Sequence, residues 1–192
     1  KEKCDIIGCS TYIWNSNLAH WACKVAKSRN PNVITVLGGP DFGKSTGERI
    51  NYFKNYKYVD IRVPLEGEVA FSNIIKSVMD NGIDNKKINF NNKIDGCVYL
   101  NRENNELIDS PVERIQELDL IPSPYLSGSL DEFFDGKLIP VIQTTRGCPF
   151  TCNFCVEGDK YYTKVKTFDP DRQIDELEYI GKKISETPAI RT

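Results

Sequence analysis

Short apolar runs alternate with stretches of helical periodicity over the first half of the chain. Asp5-Ile6-Ile7-Gly8-Cys9-Ser10 is an apolar run closing on small and polar residues, as buried parallel strands do. Leu18, Trp21, Ala22, Val25 and Ala26 then recur at helical spacing, which predicts a helix with that stripe inward, stopped at Asn30-Pro31. A second strand, Val33-Ile34-Thr35-Val36-Leu37, ends at Gly38-Gly39-Pro40. A weaker helical stretch over residues 45–53 leads to a third strand, Tyr58-Val59-Asp60-Ile61-Arg62-Val63. Glu66-Gly67-Glu68 opens another helix, with Phe71, Ile74, Ile75 and Val78 as its inward face and Asn81-Gly82 as its stop.

Strands and helices alternating at this pitch predict an α/β fold: a partial, Rossmann-like parallel sheet with right-handed crossovers over residues 1–84. Ligands of such sheets lie beyond the carboxyl ends of the strands. Ser10-Thr11, Gly38-Gly39-Pro40 and Glu66-Gly67-Glu68 are therefore expected to line one edge. Residues 85–135 read as a linker: a solvated turn at residues 89–93, then Gly96-Cys97-Val98-Tyr99-Leu100 and Glu106-Leu107-Ile108 as a β-hairpin around the polar turn 101–105, then an extended stretch marked by Pro111, Pro122 and Pro124. In residues 136–192, Leu138-Ile139-Pro140-Val141-Ile142-Gln143 predicts a short buried strand. A cysteine loop follows, and then a helix capped by Asp169, with Pro170 first and Ile174, Leu177 and Ile184 on one side.

Composition narrows the function classes. The chain has 192 residues and a net charge of −2, which gives no reason to expect a nucleic acid or an acidic membrane surface as partner. No apolar run approaches a membrane-spanning length. Seven cysteines, an odd number, without secretory features point to a reducing, cytoplasmic setting rather than to disulfides. The chain begins at Lys1 and stops soon after its last predicted helix, and it reads as a piece of a longer protein.

The densest chemical signal is Cys148-Pro149-Phe150-Thr151-Cys152-Asn153-Phe154-Cys155, a CxxxCxxC run. Three sulfurs can converge on one inorganic cube only from a tight, irregular loop, and Gly147 and Pro149 suit one. A four-iron, four-sulfur cluster ordinarily takes one thiolate per iron, so three cysteines leave one iron open to a non-protein ligand.

With an aromatic residue, Phe154, before the third cysteine, this run resembles the signature of the radical S-adenosylmethionine (SAM) superfamily, which follows the first strand of a partial or full (β/α) barrel. The resemblance implies that Cys148, Cys152 and Cys155 hold a 4Fe-4S cluster, that SAM chelates the open iron, and that Phe154 flanks the adenosyl side. It also implies reductive cleavage of SAM to a 5′-deoxyadenosyl radical, with electrons from a donor such as flavodoxin or ferredoxin. Gly8-Cys9-Ser10, Gly38-Gly39-Pro40 and Glu66-Gly67-Glu68, in that order, extend the resemblance to the class with an N-terminal cobalamin-binding domain. By that likeness Ser10, Thr11, Gly38, Gly39, Pro40, Glu66, Gly67 and Glu68 contact cobalamin, and residues 136–192 form the first β/α unit of the barrel. Methyl transfer to a small-molecule or peptide substrate is the implied chemistry of the longer parent, the piece alone being inactive. The cobalt-ligating Asp-x-His-x-x-Gly pattern is absent, and His20, the only histidine, reads as a packing or surface residue.

A competing reading is a non-catalytic Rossmann-like module that binds cobalamin or a nucleotide while the cysteines hold structural zinc. Gly38-Gly39-Pro40-Asp41-Phe42-Gly43-Lys44-Ser45 fits the phosphate-loop pattern, with Lys44 for terminal phosphates and Ser45 for magnesium. Phe42 is bulky where backbone should wrap a phosphate. Zinc would also need a fourth ligand from Cys4, Cys9, His20, Cys23 or Cys97, all distant in sequence. Glu66 and Glu68 could serve as paired carboxylates, but at a helix start they favour the dipole whether or not they catalyse.

Overall fold

A computed structural model describes residues 4–80 and 92–187. The chain divides into two units, residues 1–113 and residues 114–192. In the first, β1 (Ile6–Ser10), β2 (Ile34–Gly38) and β3 (Ile61–Val63) run parallel, with Ser10 opposite Gly38 and Gly38 opposite Val63. All three strands therefore finish at one edge. Ile34, Thr35, Val36 and Leu37 are all buried, as expected of a strand flanked by neighbours and covered on both faces.

The hairpin β4 (Cys97–Asn101) and β5 (Glu106–Ser110) does not stand apart as a linker. It continues the same sheet antiparallel, in the order β1-β2-β3-β4-β5, with Arg62 opposite Val98. Asn101 and Asn104 accept backbone N–H groups within the turn, and Asn105 takes a positive φ of 58°. The sheet is thus mixed. The third strand is shorter than residues 58–63 because side chains replace the ladder at its start. Asp60 accepts the Thr35 N–H (2.9 Å), Asp60 N–H donates to Thr35 Oγ1 (3.0 Å), and the Thr35 hydroxyl donates to Tyr58 O (2.7 Å).

The helices sit where periodicity puts them but do not all face as it predicts. α1 (Ser16–Arg29) buries Ala19, His20 and Cys23, while Leu18 and Trp21 are 65% and 62% exposed. Close approach to the sheet selects the small pair Ala19 and Cys23, one turn apart, over the bulkier stripe beside them. His20 is inside because its ring packs against those of Tyr52, Tyr56 (4.2 Å between centroids) and Tyr58, and its Nε2 meets the Tyr52 hydroxyl at 3.2 Å. α2 (Thr46–Asn55) starts at a capping box of Ser45 and Glu48 and buries Phe53. α3 (Gly67–Asp80) buries Ala70 and Ile74, with Ile75 and Val78 half-buried and Phe71 more exposed. The stop expected at Asn81-Gly82, the linker start at Asn85 and residues 89–91 of the solvated turn lie outside the described residues.

The second unit is small. β6 (Thr145–Arg146) and β7 (Lys166–Thr167) make an antiparallel two-residue ladder, and α4 (Pro170–Glu186) follows its Asp169 cap, whose side chain accepts the N–H groups of Asp171 and Arg172. α4 buries Glu176 and Ile180; Ile174, Leu177 and Ile184 are largely exposed, contrary to the stripe the sequence suggests. Arg172 seats the helix instead, donating to Ile121 O (2.7 Å) and lying over the Phe168 ring (4.5 Å). The run 138–143 is not a buried strand either, with Val141 79% exposed. A parallel strand is buried only between neighbours, and among the described residues no strand pairs with it. One hydroxyl stands in for a neighbour, since Tyr125 OH donates to Val141 O (2.8 Å) and accepts from Val141 N (3.0 Å).

Burial, reinforced by the positive charge of Arg62, holds His20 below its ordinary pKa of 6.5, against a smaller opposing pull from Asp41. The unfolded chain therefore takes up this proton first as pH falls, so the neutral ring stabilises the fold above the unfolded value and loses that contribution below it. The urea midpoint is expected to fall between about pH 8 and about pH 5, and His20→Phe is expected to flatten that fall.

Candidate functional site

At the carboxyl edge of the sheet the chain turns back on itself within hydrogen-bonding distance. Thr11 donates both its N–H (2.6 Å) and its hydroxyl (2.7 Å) to Gly38 O, and Gly39 N–H donates to Val63 O (3.2 Å). Gly39 has φ +105°, and a Cβ there would lie 2.4 Å from Thr11 O, so the position admits only glycine. Ser10, Thr11, Gly38 and Gly39 are thus brought together, with half-buried Pro40 next in the chain. Ser10 is exposed; Thr11 is fully buried and its hydroxyl faces protein. Half-buried Glu66 and exposed Gly67 and Glu68 follow the end of β3, and a Cβ added at Gly67 would meet nothing within 4 Å. Glu68 lies in the first turn of α3, where the helix dipole favours a carboxylate.

The residue that orders this edge is Arg62, which motif reading passed over. Its side chain is fully buried and donates to Thr11 Oγ1 (2.8 Å), Gly39 O (3.1 Å) and Asp41 O (2.9 Å). The guanidinium also lies over the rings of Phe42 (4.8 Å) and Tyr52 (5.4 Å). Burial pulls its pKa down, and Tyr52 and then Asp41 pull it back. Hydrogen bonds and aromatic faces together offset the cost of a cation out of water. Nothing in the sequence marked it, since the predicted strand 58–63 carries Asp60 as well.

The same geometry answers the phosphate-loop reading. Glu48 Oε2 accepts Lys44 N–H (3.2 Å), Ser45 N–H (2.9 Å) and the Ser45 hydroxyl (2.8 Å), so a carboxylate of the chain itself takes the donors a phosphate would need. Those Ser45 bonds hold Glu48 below the usual carboxylate range. Gly39 and Asp41 turn their carbonyls to Arg62, and Phe42 packs edge-on to Tyr52 and Phe53. The loop is built around a cation and a carboxylate of its own.

The cysteine loop joins β6 to β7. Cys148 is half-buried, Cys152 and Cys155 are exposed, and all three are free thiols; Phe154 is 94% exposed. Cys148 N–H donates to Tyr162 O (3.0 Å), Cys155 N–H to Cys152 O (3.1 Å) and Gly158 N–H to Cys155 O (3.1 Å). A Cβ at Gly158 would lie 2.3 Å from Cys152 O, so the turn after the third cysteine needs glycine. The donor set is the one a site-open cluster requires: three unpaired thiols on one irregular loop. Among the described residues, however, no three metal-binding side chains are gathered at one point. Burial pushes the thiols of Cys23 and Cys97 up to about 12. Arg114, in the connector, ties the two ends of the loop and carried no sequence signal.

Arg62→Met removes the bonds to Thr11 Oγ1, Gly39 O and Asp41 O together and is expected to lower unfolding free energy by about 3 kcal/mol, with Gly39→Ala costing at least about 2 kcal/mol. Urea titration checks both; losses under about 0.5 kcal/mol would contradict the arrangement.

No family model matches the chain. It is 29% identical over 184 residues to the cobalamin-dependent radical SAM methyltransferase TokK of Streptomyces tokunonensis, covering 93% of this chain and 26% of that protein. It is 28% identical to the 2-(S-pantetheinyl)-carbapenam-3-carboxylate methyltransferase of Streptantibioticus cattleyicolor, with the same coverage. It is also 28% identical to the anaerobic magnesium-protoporphyrin IX monomethyl ester cyclase of Rubrivivax gelatinosus, covering 94% of this chain and 32% of that one. The chain spans about a quarter of the length of the first two. Its fold matches that of the cobalamin-dependent SAM radical enzyme OxsB, solved with aqua-cobalamin bound, at a TM-score of 0.64 and 20% identity over 95% of this chain and 24% of that one. Among the described residues no helix is long and apolar enough to cross a membrane. In its α/β sheet the chain thus has the fold of a cobalamin-dependent radical SAM enzyme, and over most of its length its sequence is similar to that of cobalamin-dependent radical SAM methyltransferases.

Proposed function

We propose that the chain supplies the cobalamin edge and the cluster loop of a radical SAM methyltransferase. The observation that carries the reading is their succession in one chain: a glycine-lined sheet edge with open space at Gly67, then three free thiols on a loop with no disulfide. When bound, the cluster supplies the electron that splits SAM, and cobalamin supplies a methyl carrier.

Within that reading the chain's own residues have separate tasks. Cys148, Cys152 and Cys155 would hold the cluster, three thiolates for four irons, and Phe154 would line the SAM side. Gly38, Gly39 and Gly67 let a bulky cofactor approach backbone, Ser10 offers an exposed hydroxyl, and Pro40, Glu66 and Glu68 complete the rim. Thr11 acts from behind, as the post on which Gly38 and Arg62 are fixed. The chain spans about a quarter of the length of its methyltransferase relatives, and the expectation is that this length by itself does not turn over. Free cysteines suit a reducing cytoplasm, where a flavodoxin- or ferredoxin-like donor is available.

Anaerobic reconstitution with iron and sulfide tests this. The expected product is brown, with about four irons per chain, and Cys152→Ala abolishes the colour. A colourless protein carrying one zinc would overturn it.

A further inference from the structure

Two residue pairs of ladder are all that β6 and β7 contribute to closing the cysteine loop. So short a ribbon is not stable by itself, and closing an exposed loop costs chain entropy. The closure must come from elsewhere. Arg114 is buried, and its planar guanidinium collects backbone carbonyls from both sides of the loop: Arg146 O at 2.9 Å before the cysteines, Tyr161 O at 3.1 Å and Lys164 O at 2.5 Å after them.

Gly147, adjacent to the first cysteine, is shaped to this grip. It has φ +105°, and a Cβ there would lie 2.6 Å from Arg114 Nη2 and 2.7 Å from both Tyr162 O and Lys164 O. The next residue then donates its N–H to Tyr162 O. Gln116 extends the tie, its backbone and side-chain oxygens each accepting from Lys166 Nζ at 2.7 Å. A lysine could not replace Arg114 here, because three carbonyls in different directions need a rigid fork of donors rather than one point charge.

We propose that Arg114 is the positioning residue of the cysteine loop: it draws three carbonyls from both ends of the loop onto one buried cation and so presents Cys148 in a fixed place before any cluster binds. The proposal rests on the cluster reading for its consequence, though not for its geometry. Outer residues that orient metal ligands typically change metal retention tenfold to a hundredfold when lost. Arg114 acts through the backbone on either side of the cysteines rather than by contact with a cluster.

The test uses the intact protein with Arg114→Met, Arg114→Lys and Arg114→Ala, and three readouts. In the cluster-free protein, hydrogen exchange at the Cys148 amide is expected to accelerate at least about tenfold in all three variants, while the amides of α4 around Ile180 keep their protection. In the reconstituted protein, iron loss to a chelator is expected to accelerate by about tenfold or more. Millimolar guanidinium is expected to restore part of the Cys148 protection in Arg114→Ala, which a merely space-filling role would not allow. Unchanged Cys148 exchange, or equal loss of protection in α4, would overturn the proposal. If Arg114→Met does not fold, Arg114→Lys decides by the same criteria. Failure of the wild type to take up iron would sink the cluster reading alone, since the exchange measurement needs no cluster.

Discussion

Arg62 lies inside the sheet with its guanidinium turned to the carboxyl edge, where Thr11 Oγ1, Gly39 O and Asp41 O converge on it. A buried cation is costly, and two carbonyls, a hydroxyl and two aromatic rings offset that cost although its Nε has no partner. The arrangement fixes the turn after β2 against the end of β1. It also spends the carbonyls of that turn inward, so what the edge presents outward is small: an exposed serine, glycines and open space at Gly67.

The second unit repeats the device with different residues. Arg114 collects carbonyls beside Gly147 much as Arg62 does beside Gly39, and each glycine has φ +105°. In both places the missing Cβ permits a close approach, to Thr11 O in one case and to Arg114 Nη2 in the other. Irregular backbone is thereby held without a long ladder of strand hydrogen bonds. That suits segments that must stay open to a cofactor, where regular pairing would consume the groups that line the site.

Much of this was legible in the sequence, and the failures share a cause. In residues 1–113 the strand positions and the common edge of Ser10, Thr11, Gly38 and Gly39 follow from apolar runs ending in small residues, whereas the apolar run 138–143 is no strand, having no strand neighbour among the described residues. What periodicity could not settle was which of two adjacent stripes packs inward. In α1 the spacing between helix and sheet chose Ala19 and Cys23 over Leu18 and Trp21, and His20 went inside because three tyrosines distant from it in sequence surround it. In α4 the apolar stripe is exposed, and the helix is held through Arg172, which donates to Ile121 O and lies over the Phe168 ring. Arg62 and Arg114 were invisible for the same reason. Their partners are mostly backbone carbonyls, which no residue pattern announces.

The most direct test of the account is a spectral titration of the intact protein with aqua-cobalamin, comparing wild type with Gly67→Trp. Gly67 has free space around it, so the substitution fills the edge without disturbing the core. The account predicts saturable one-to-one binding by the wild type, lost in Gly67→Trp while its urea midpoint is unchanged. Absence of saturable binding by a folded wild type, or undiminished binding by Gly67→Trp, would contradict it.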